Sequence, residues 1–255
     1  MAVPGRKVPE GAPARLAETE LFSVDAYLRS FDATVEQVDR GSNRVALRRT
    51  AFYPGGGGQP FDLGTIRWAD GTAEVTRVGR DQGRIWHWLD GDALPDDGTE
   101  VLGELDWDRR HLTMRTHTAL HILCGVIWAD HGVAVTGGNM DPGKGRLDFA
   151  LPSMSAEFGR QVEARINEEI ARAHDIVVAF VGREVADEDT ALIRTAAHLI
   201  PREVDPLRVI DIVGLDKQAD GGTHVLSTAE VGRVTVTGTE SKGKGNKRVR
   251  LSVED

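Results

Sequence analysis

The first chemistry legible in the chain is a pair of histidines, His117 and His121, in the run His117-Thr118-Ala119-Leu120-His121. Apolar residues around them, Leu112, Leu120, Leu123 and Ile127, recur at helical spacing. Positions four apart on a helix share one face, one turn apart, and two imidazoles so placed can ligate one metal ion. The pair is not a zincin motif. That chemistry needs a glutamate directly after the first histidine as general base, and Thr118 stands there. Taken alone, such a pair also arises without function in a chain with eight histidines.

A third imidazole follows in Ala219-Asp220-Gly221-Gly222-Thr223-His224-Val225. Adjacent glycines permit a tight turn, so Asp220 and His224 can face the same way. His117, His121, Asp220 and His224 would then make one tetrahedral set for a divalent metal, with zinc the expected ion. The alternative for Asp220 is a hydrogen bond to a neighbour, with water in the fourth position. Cys124 lies three residues past His121. A thiolate ligand is conceivable there, and core packing is the preferred reading. As the single cysteine it cannot form an internal disulfide. Nothing points to an oxidising compartment, so a cytoplasmic location is the default.

These side chains need a scaffold, and the chain changes texture along its length. From Leu21 to about Trp107 the pattern is short and strand-like: Ala33–Val38, Arg44–Arg48, Thr72–Val78 and Arg84–Trp88, separated by Asp70-Gly71, Asp90-Gly91 and Asp97-Gly98. Such spacing suggests a small antiparallel β-barrel or sandwich. Helical patterns follow over Leu112–Asp130 and over Ala156–Ala173, the second opened by Ser153 or Ser155 as cap. Strands are expected at Ile176–Val181, Leu207–Val213, Val231–Thr237 and Lys247–Val253, with a short helix over Asp187–Ala197. The fold class is α+β: an N-terminal antiparallel barrel, then helices packed on an antiparallel sheet. Residues 1–19 read as a loose tail, 20–106 as the barrel domain and 107–255 as the metal-binding domain.

No apolar run approaches the roughly 20 residues of a membrane helix, and Met1–Pro13 lacks the apolar core of a secretory signal. A net charge of −9 argues against nucleic acid as a partner. The distribution argues otherwise, because Lys242, Lys244, Lys247, Arg248 and Arg250 cluster near the C-terminus among glycines. The same cluster also reads as a solvated hairpin tip.

The His117–His121 pair followed by Gly221-Gly222-Thr223-His224 resembles the editing domain of alanyl-tRNA synthetases. The resemblance extends to the glycine-rich Thr50-Ala-Phe-Tyr-Pro-Gly-Gly-Gly-Gly-Gln-Pro60, to Val135-Thr136-Gly137 with Arg146-Leu147-Asp148-Phe149, and to Glu240–Arg248. It spans roughly residues 20 to 254, in the family's order. With no synthetase core fitting before residue 20 and no oligomerisation tail after 255, the expectation is a stand-alone trans-editing protein of the AlaX type, in its medium-length form. The family pattern has cysteine where this chain has Asp220, and thiolate exchanged for carboxylate lowers selectivity for zinc over harder ions.

The resemblance implies a deacylase for Ser-tRNA(Ala), with Gly-tRNA(Ala) as a further substrate, that binds the tRNA acceptor stem and 3′ end. Thr118, Gln59 and Asn139 are the candidate catalytic residues. Gly56, Gly57, Gly58, Thr136, Arg146, Lys242, Lys244, Lys247 and Arg248 are the candidate substrate and tRNA contacts. A non-catalytic tRNA- or synthetase-binding module and a metal-dependent hydrolase of small esters or amides stand as alternatives.

Overall fold

The computed structural model of the chain describes residues 8–151, 153, 155, 157–189, 192, 200–201, 203–243 and 245–254. It divides into two compact units. One holds the residues up to Gly56 together with Pro60–His111, and the other holds Gly57–Gln59 together with the chain from Leu112 onward.

The first unit opens with two short helices, α1 (Ala14–Thr19) and α2 (Leu21–Val24). The first lies in the stretch expected as a loose tail, and it leads into backbone bonds joining Leu21 N to Thr50 O and Thr50 N to Thr19 O, both at 2.9 Å. Six strands then close an antiparallel barrel: β1 (Ser30–Asp39), β2 (Arg44–Leu47), β3 (Gly64–Trp68), β4 (Gly71–Asp81), β5 (Arg84–Leu89) and β6 (Glu100–Leu105), in the order β1-β2-β5-β4-β3-β6. Closure leaves no unpaired edge. Strands β3 and β6 escape the sequence pattern, because they are short and Gly103 interrupts the second.

Inward residues alternate as the pleat demands, with Phe31, Ala33 and Val35 buried along β1. In β4 the buried set moves from Ala73 and Val75 to Val78. A bulge between Val75 and Arg77 causes this, since one extra residue exchanges the two faces of a strand.

Two polar networks are sealed in this unit. His87 on β5 is fully buried, its Nδ1–H donating to the Val45 carbonyl at 3.2 Å and its Nε2 meeting Thr50 Oγ1 at 2.9 Å. Burial pushes this imidazole down from 6.5 to about 4, against the opposing effect of the Val45 bond. Between those two values the unfolded chain takes up a proton that the folded chain refuses. Stability should therefore fall as pH drops from 6.5 towards about 4. His87→Gln should flatten that part of the curve, read as unfolding midpoints in denaturant from neutral pH to pH 4. Equal slopes in both proteins would refute the assignment.

The second network centres on Arg110, which has no solvent exposure. Its Nε donates to Asp62 Oδ1 at 2.9 Å, Nη1 to the Ala26 carbonyl at 2.9 Å and Nη2 to the Ala51 carbonyl at 2.6 Å. A further bond joins Nη2 to Asp62 Oδ2. The same carboxylate accepts Tyr53 N–H at 2.6 Å.

The second unit takes most of helix α3, which runs Trp107–His131, longer at its start than the apolar spacing indicates. Strands β7 (Val135–Asp141) and β8 (Lys144–Phe149) follow, then α4 (Phe158–Ala171), β9 (Ile176–Val181), α5 (Arg183–Glu188), β10 (Leu207–Ile212), β11 (Asp216–Ala219), β12 (Val234–Ser241) and β13 (Lys247–Val253). The strands form two sheets, ordered β11-β10-β9 and β12-β13-β8-β7. Helix α4 covers the edge at β12, where Asn167 bonds both backbone groups of Val234 and Glu163 accepts Val236 N–H at 2.8 Å. Polar side chains thus satisfy an edge that would otherwise expose its ladder.

Several local expectations change. No serine side chain caps α4; Phe158 N bonds only the Ser155 carbonyl, at 3.2 Å. The helix expected over Asp187–Ala197 is α5 instead, earlier in the chain, and residues 190–191 and 193–199 lie outside the described residues. The strand expected from Val231 begins at Val234, because Thr228–Val231 is a short 3-10 turn with Ser227 accepting Ala229 N–H. Strands β7, β8 and β11 are additions. Among the described residues no helix is long and apolar enough to cross a membrane.

Candidate metal centre

Helix α3 presents His117 and His121 on one face, and the loop after β11 brings Asp220 and His224 to them. One donor atom from each of the four residues lies within 4.8 Å of all the others. The histidines are nearly buried and Asp220 is partly exposed.

Each imidazole is oriented through its Nδ1. His117 Nδ1–H donates to Gln59 Oε1 at 2.9 Å, His121 Nδ1–H to Asp216 Oδ2 at 3.1 Å, and His224 Nδ1 meets Thr118 Oγ1 at 3.1 Å. Amide and carboxylate oxygens only accept, so Nε2 keeps the free lone pair on His117 and His121. On His224, Nε2 lies 3.1 Å from Asp220 Oδ2. Metal-binding histidines typically tie back their second nitrogen in this way, so the donor set fits a divalent cation.

The loop that carries Asp220 and His224 is held from three sides. Asp220 Oδ2 accepts Gly222 N–H at 2.7 Å. Arg208 on β10 donates to the carbonyls of Asp220 and Gly222 at 2.9 and 2.8 Å. Gln59 Oε1 accepts Thr223 N–H, and its Nε2 donates to Thr223 Oγ1, both at 3.0 Å. Gly222 must be glycine for a steric reason: a Cβ there would stand 2.5 Å from Gln59 Oε1 and 2.6 Å from His117 Nδ1.

Burial is the largest single influence on all four groups of the cluster, and on two of them the neighbours together outweigh it. It pushes His117 down to about 4 and, with the neighbouring His117, moves His224 well down. On Asp220 burial acts upward, yet His117 and the hydrogen-bonded His224 hold the carboxyl well below its usual range. On His121 burial acts downward, and Asp216 outweighs it and raises the imidazole. Neutral His117 and His224 beside ionised Asp220 are the states that metal ligation requires.

A cleft of about 580 Å³ opens beside the cluster. His117, His121 and Asp220 form one part of its wall, and Gly57, Thr136 and Asn139 contribute others. Successive positive φ values at Gly57 and Gly58, 59° and 89°, let this stretch turn where a side chain would strain it. A bulge between Val135 and Gly137 falls at Thr136.

Other expected site residues have different placements. Thr118, expected to be catalytic, is fully buried beneath the histidines and also accepts Val225 N–H at 3.4 Å. Gln59, also expected to be catalytic, spends its carbonyl oxygen on His117 and Thr223. Both bond the histidines, at His117 and His224. Cys124 is buried in the cleft wall and stands outside the four-residue cluster. Gly56 counts with the barrel unit, its carbonyl accepting from Tyr53 OH at 3.1 Å.

The basic cluster is heavily paired. Lys247 is buried and donates to Ser241 Oγ and the Gly243 carbonyl. Arg248 grips Asp148 through two bonds, at 2.6 and 2.7 Å, with Arg146 3.6 Å from the same carboxylate. Lys242 and Arg250 share Glu240. Lys244 lies outside the described residues. Three residues around the centre have no counterpart in the sequence reasoning: Asp216, Arg208 and Gln218. Burial alternates along β11 at Asp216 and Gln218, but Asp216-Lys217-Gln218-Ala219 has no apolar alternation, so the sequence carries no signal for them.

Two family models match the chain. The threonyl and alanyl tRNA synthetase second additional domain matches residues 207–250, and the class II (A) tRNA synthetases match residues 18–109. The alanyl-tRNA editing protein AlaX-M of Methanosarcina mazei is 36% identical over 242 residues, covering 92% of this chain and 96% of that protein. This chain belongs to the AlaX-M alanyl-tRNA editing family. The AlaX-M protein of Saccharolobus solfataricus is equally similar, 36% identical over 237 residues. The alanine–tRNA ligase of Pyrobaculum aerophilum is 36% identical over 233 residues, and the match covers only 26% of the ligase. Membership in AlaX-M implies an aminoacyl-tRNA deacylase, a hydrolase.

Proposed function

We propose that this chain hydrolyses the ester joining a wrong amino acid to tRNA(Ala), with serine as main substrate and glycine as a second, at a divalent metal held by His117, His121, His224 and Asp220. The observation that carries the reading is the convergence of these four donors beside the cleft. A bound cation there supplies Lewis acidity and orients the substrate or its attacking water.

The chain's own residues do the rest. Gln59 and Thr118 hold His117 and His224 at fixed angles. Thr136 and Asn139 offer polar groups to a substrate hydroxyl in the cleft. Such recognition is needed, because a synthetase gains only about 1–3 kcal/mol against a substrate differing by one small group. Thr136 and Asn139 are both exposed in the free protein, so the bound substrate must cover them; a polar group covered in that way favours serine over alanine, which would leave it unpaired. Lys242, Arg146 and Arg248 serve the acceptor stem. Their acidic partners are then exchanged for phosphates.

Deacylation of Ser-, Gly- and Ala-tRNA(Ala), with and without chelator, tests the reading. Serine should be released, alanine spared, and activity lost on chelation and restored by zinc. Binding of tRNA without turnover would identify a passive binding module instead. Asp220→Ala tests the fourth ligand: the variant should retain less than one metal per chain after gel filtration. Full occupancy with unchanged affinity would show that Asp220 only hydrogen-bonds His224.

A further inference from the structure

Asp216 carries no role in the reading above, yet it is among the most completely buried carboxylates in the second unit, at 2% exposure. It opens β11, paired with Ile212 across the sheet. Its Oδ2 accepts His121 Nδ1–H at 3.1 Å and Gln218 Nε2–H at 2.7 Å. Gln218 lies two residues along the strand, on the same buried face, and lines the cleft. A chain of contacts therefore runs from cleft wall to carboxylate to imidazole.

We propose that Asp216 is a positioning residue for the metal centre, selecting the His121 tautomer that leaves Nε2 free and supplying the second negative charge that a buried divalent cation needs. The inference rests on the metal-dependent reading of the site.

Two physical arguments support it. First, a carboxylate can only accept, so its contact with Nδ1 requires the proton to sit there. The other tautomer would point an N–H at the donor cluster and remove one ligand. Second, three neutral imidazoles bring no charge and Asp220 brings one. The guanidinium of Arg208, bonded to the Asp220 and Gly222 carbonyls, adds a positive charge nearby. Without Asp216, Asp220 is the one carboxylate that the described residues place in the donor cluster, and unbalanced charge in a buried site is costly. Gln218 has its amide orientation set by Asp216, since only the NH₂ end can face a carboxylate.

The test uses the full chain stripped of metal and titrated with zinc in competition with a chromophoric chelator, and separately with cobalt(II) followed by its visible absorption. Asp216→Asn should weaken zinc binding by roughly 10- to 100-fold and shift the cobalt bands, with the metal-free far-UV and near-UV circular dichroism of the parent. Gln218→Leu, which removes only the support for Asp216, should move both readouts the same way by less. It also serves as the test if Asp216→Asn does not fold. Wild-type zinc affinity and unchanged cobalt bands in the folded variants would overturn the proposal. So would losses accompanied by collapse of the metal-free near-UV spectrum in both variants, which would mark a structural role only. A parent chain that takes up no metal would overturn the functional reading itself, a result distinct from equal binding by parent and variants.

Discussion

Gly222→Ala is expected to reduce aminoacyl-tRNA deacylation by at least about 100-fold, the scale on which an ångström of misplacement acts, and, on the metal-dependent reading proposed above, to abolish metal binding. The added methyl would stand 2.5 Å from Gln59 Oε1 and 2.6 Å from His117 Nδ1, well inside contact distance. Neither neighbour can retreat without breaking the bond between them, and that bond orients His117. The loop cannot move outward freely either, because Arg208 and Asp220 hold its carbonyls and amide. The damage should stay local. Metal content, zinc titration and single-turnover deacylation of the purified variant check the prediction, with circular dichroism confirming the fold. A variant with a full complement of metal and parental activity would refute the packing argument.

The second large effect is expected at the barrel. Arg110→Met should cost about 3–5 kcal/mol of stability, the usual consequence of removing one partner of a buried ion pair. Asp62 would keep its charge in the interior with only the Tyr53 amide in place of the lost guanidinium bonds, and the carbonyls of Ala26 and Ala51 would lose their donor. Against a typical total of about 5–15 kcal/mol, that loss is severe. Denaturant unfolding followed at the tryptophans measures it. The double variant Arg110→Met, Asp62→Leu should recover much of the deficit, since replacing both charges by apolar groups is far cheaper than stranding one. A single variant within 1 kcal/mol of the parent would contradict the burial seen here.

Local pattern made much of this protein legible. The helix bearing His117 and His121 follows from apolar spacing, and strands β9, β10 and β13 lie where strands were expected. His117, His121, Asp220 and His224 were expected together from two histidines on one face and a glycine-flanked third, and their donor atoms lie within 4.8 Å of one another. Strands β3, β6, β7, β8 and β11 were not legible. They are short, or rich in glycine, and their identity depends on partners distant in sequence.

The chain alone determined the family and the α+β class, since each of these rests on residue identity and near-neighbour spacing. Tertiary structure decided what the polar residues do. Thr118 and Gln59, expected as reactants, bond the histidines; Lys247, expected at phosphates, is buried; and Asp216 and Arg208 reach the cluster through His121 and the Asp220 carbonyl. A hydrogen bond's partner is set by which strands meet across a hundred residues, and no local spacing encodes that meeting.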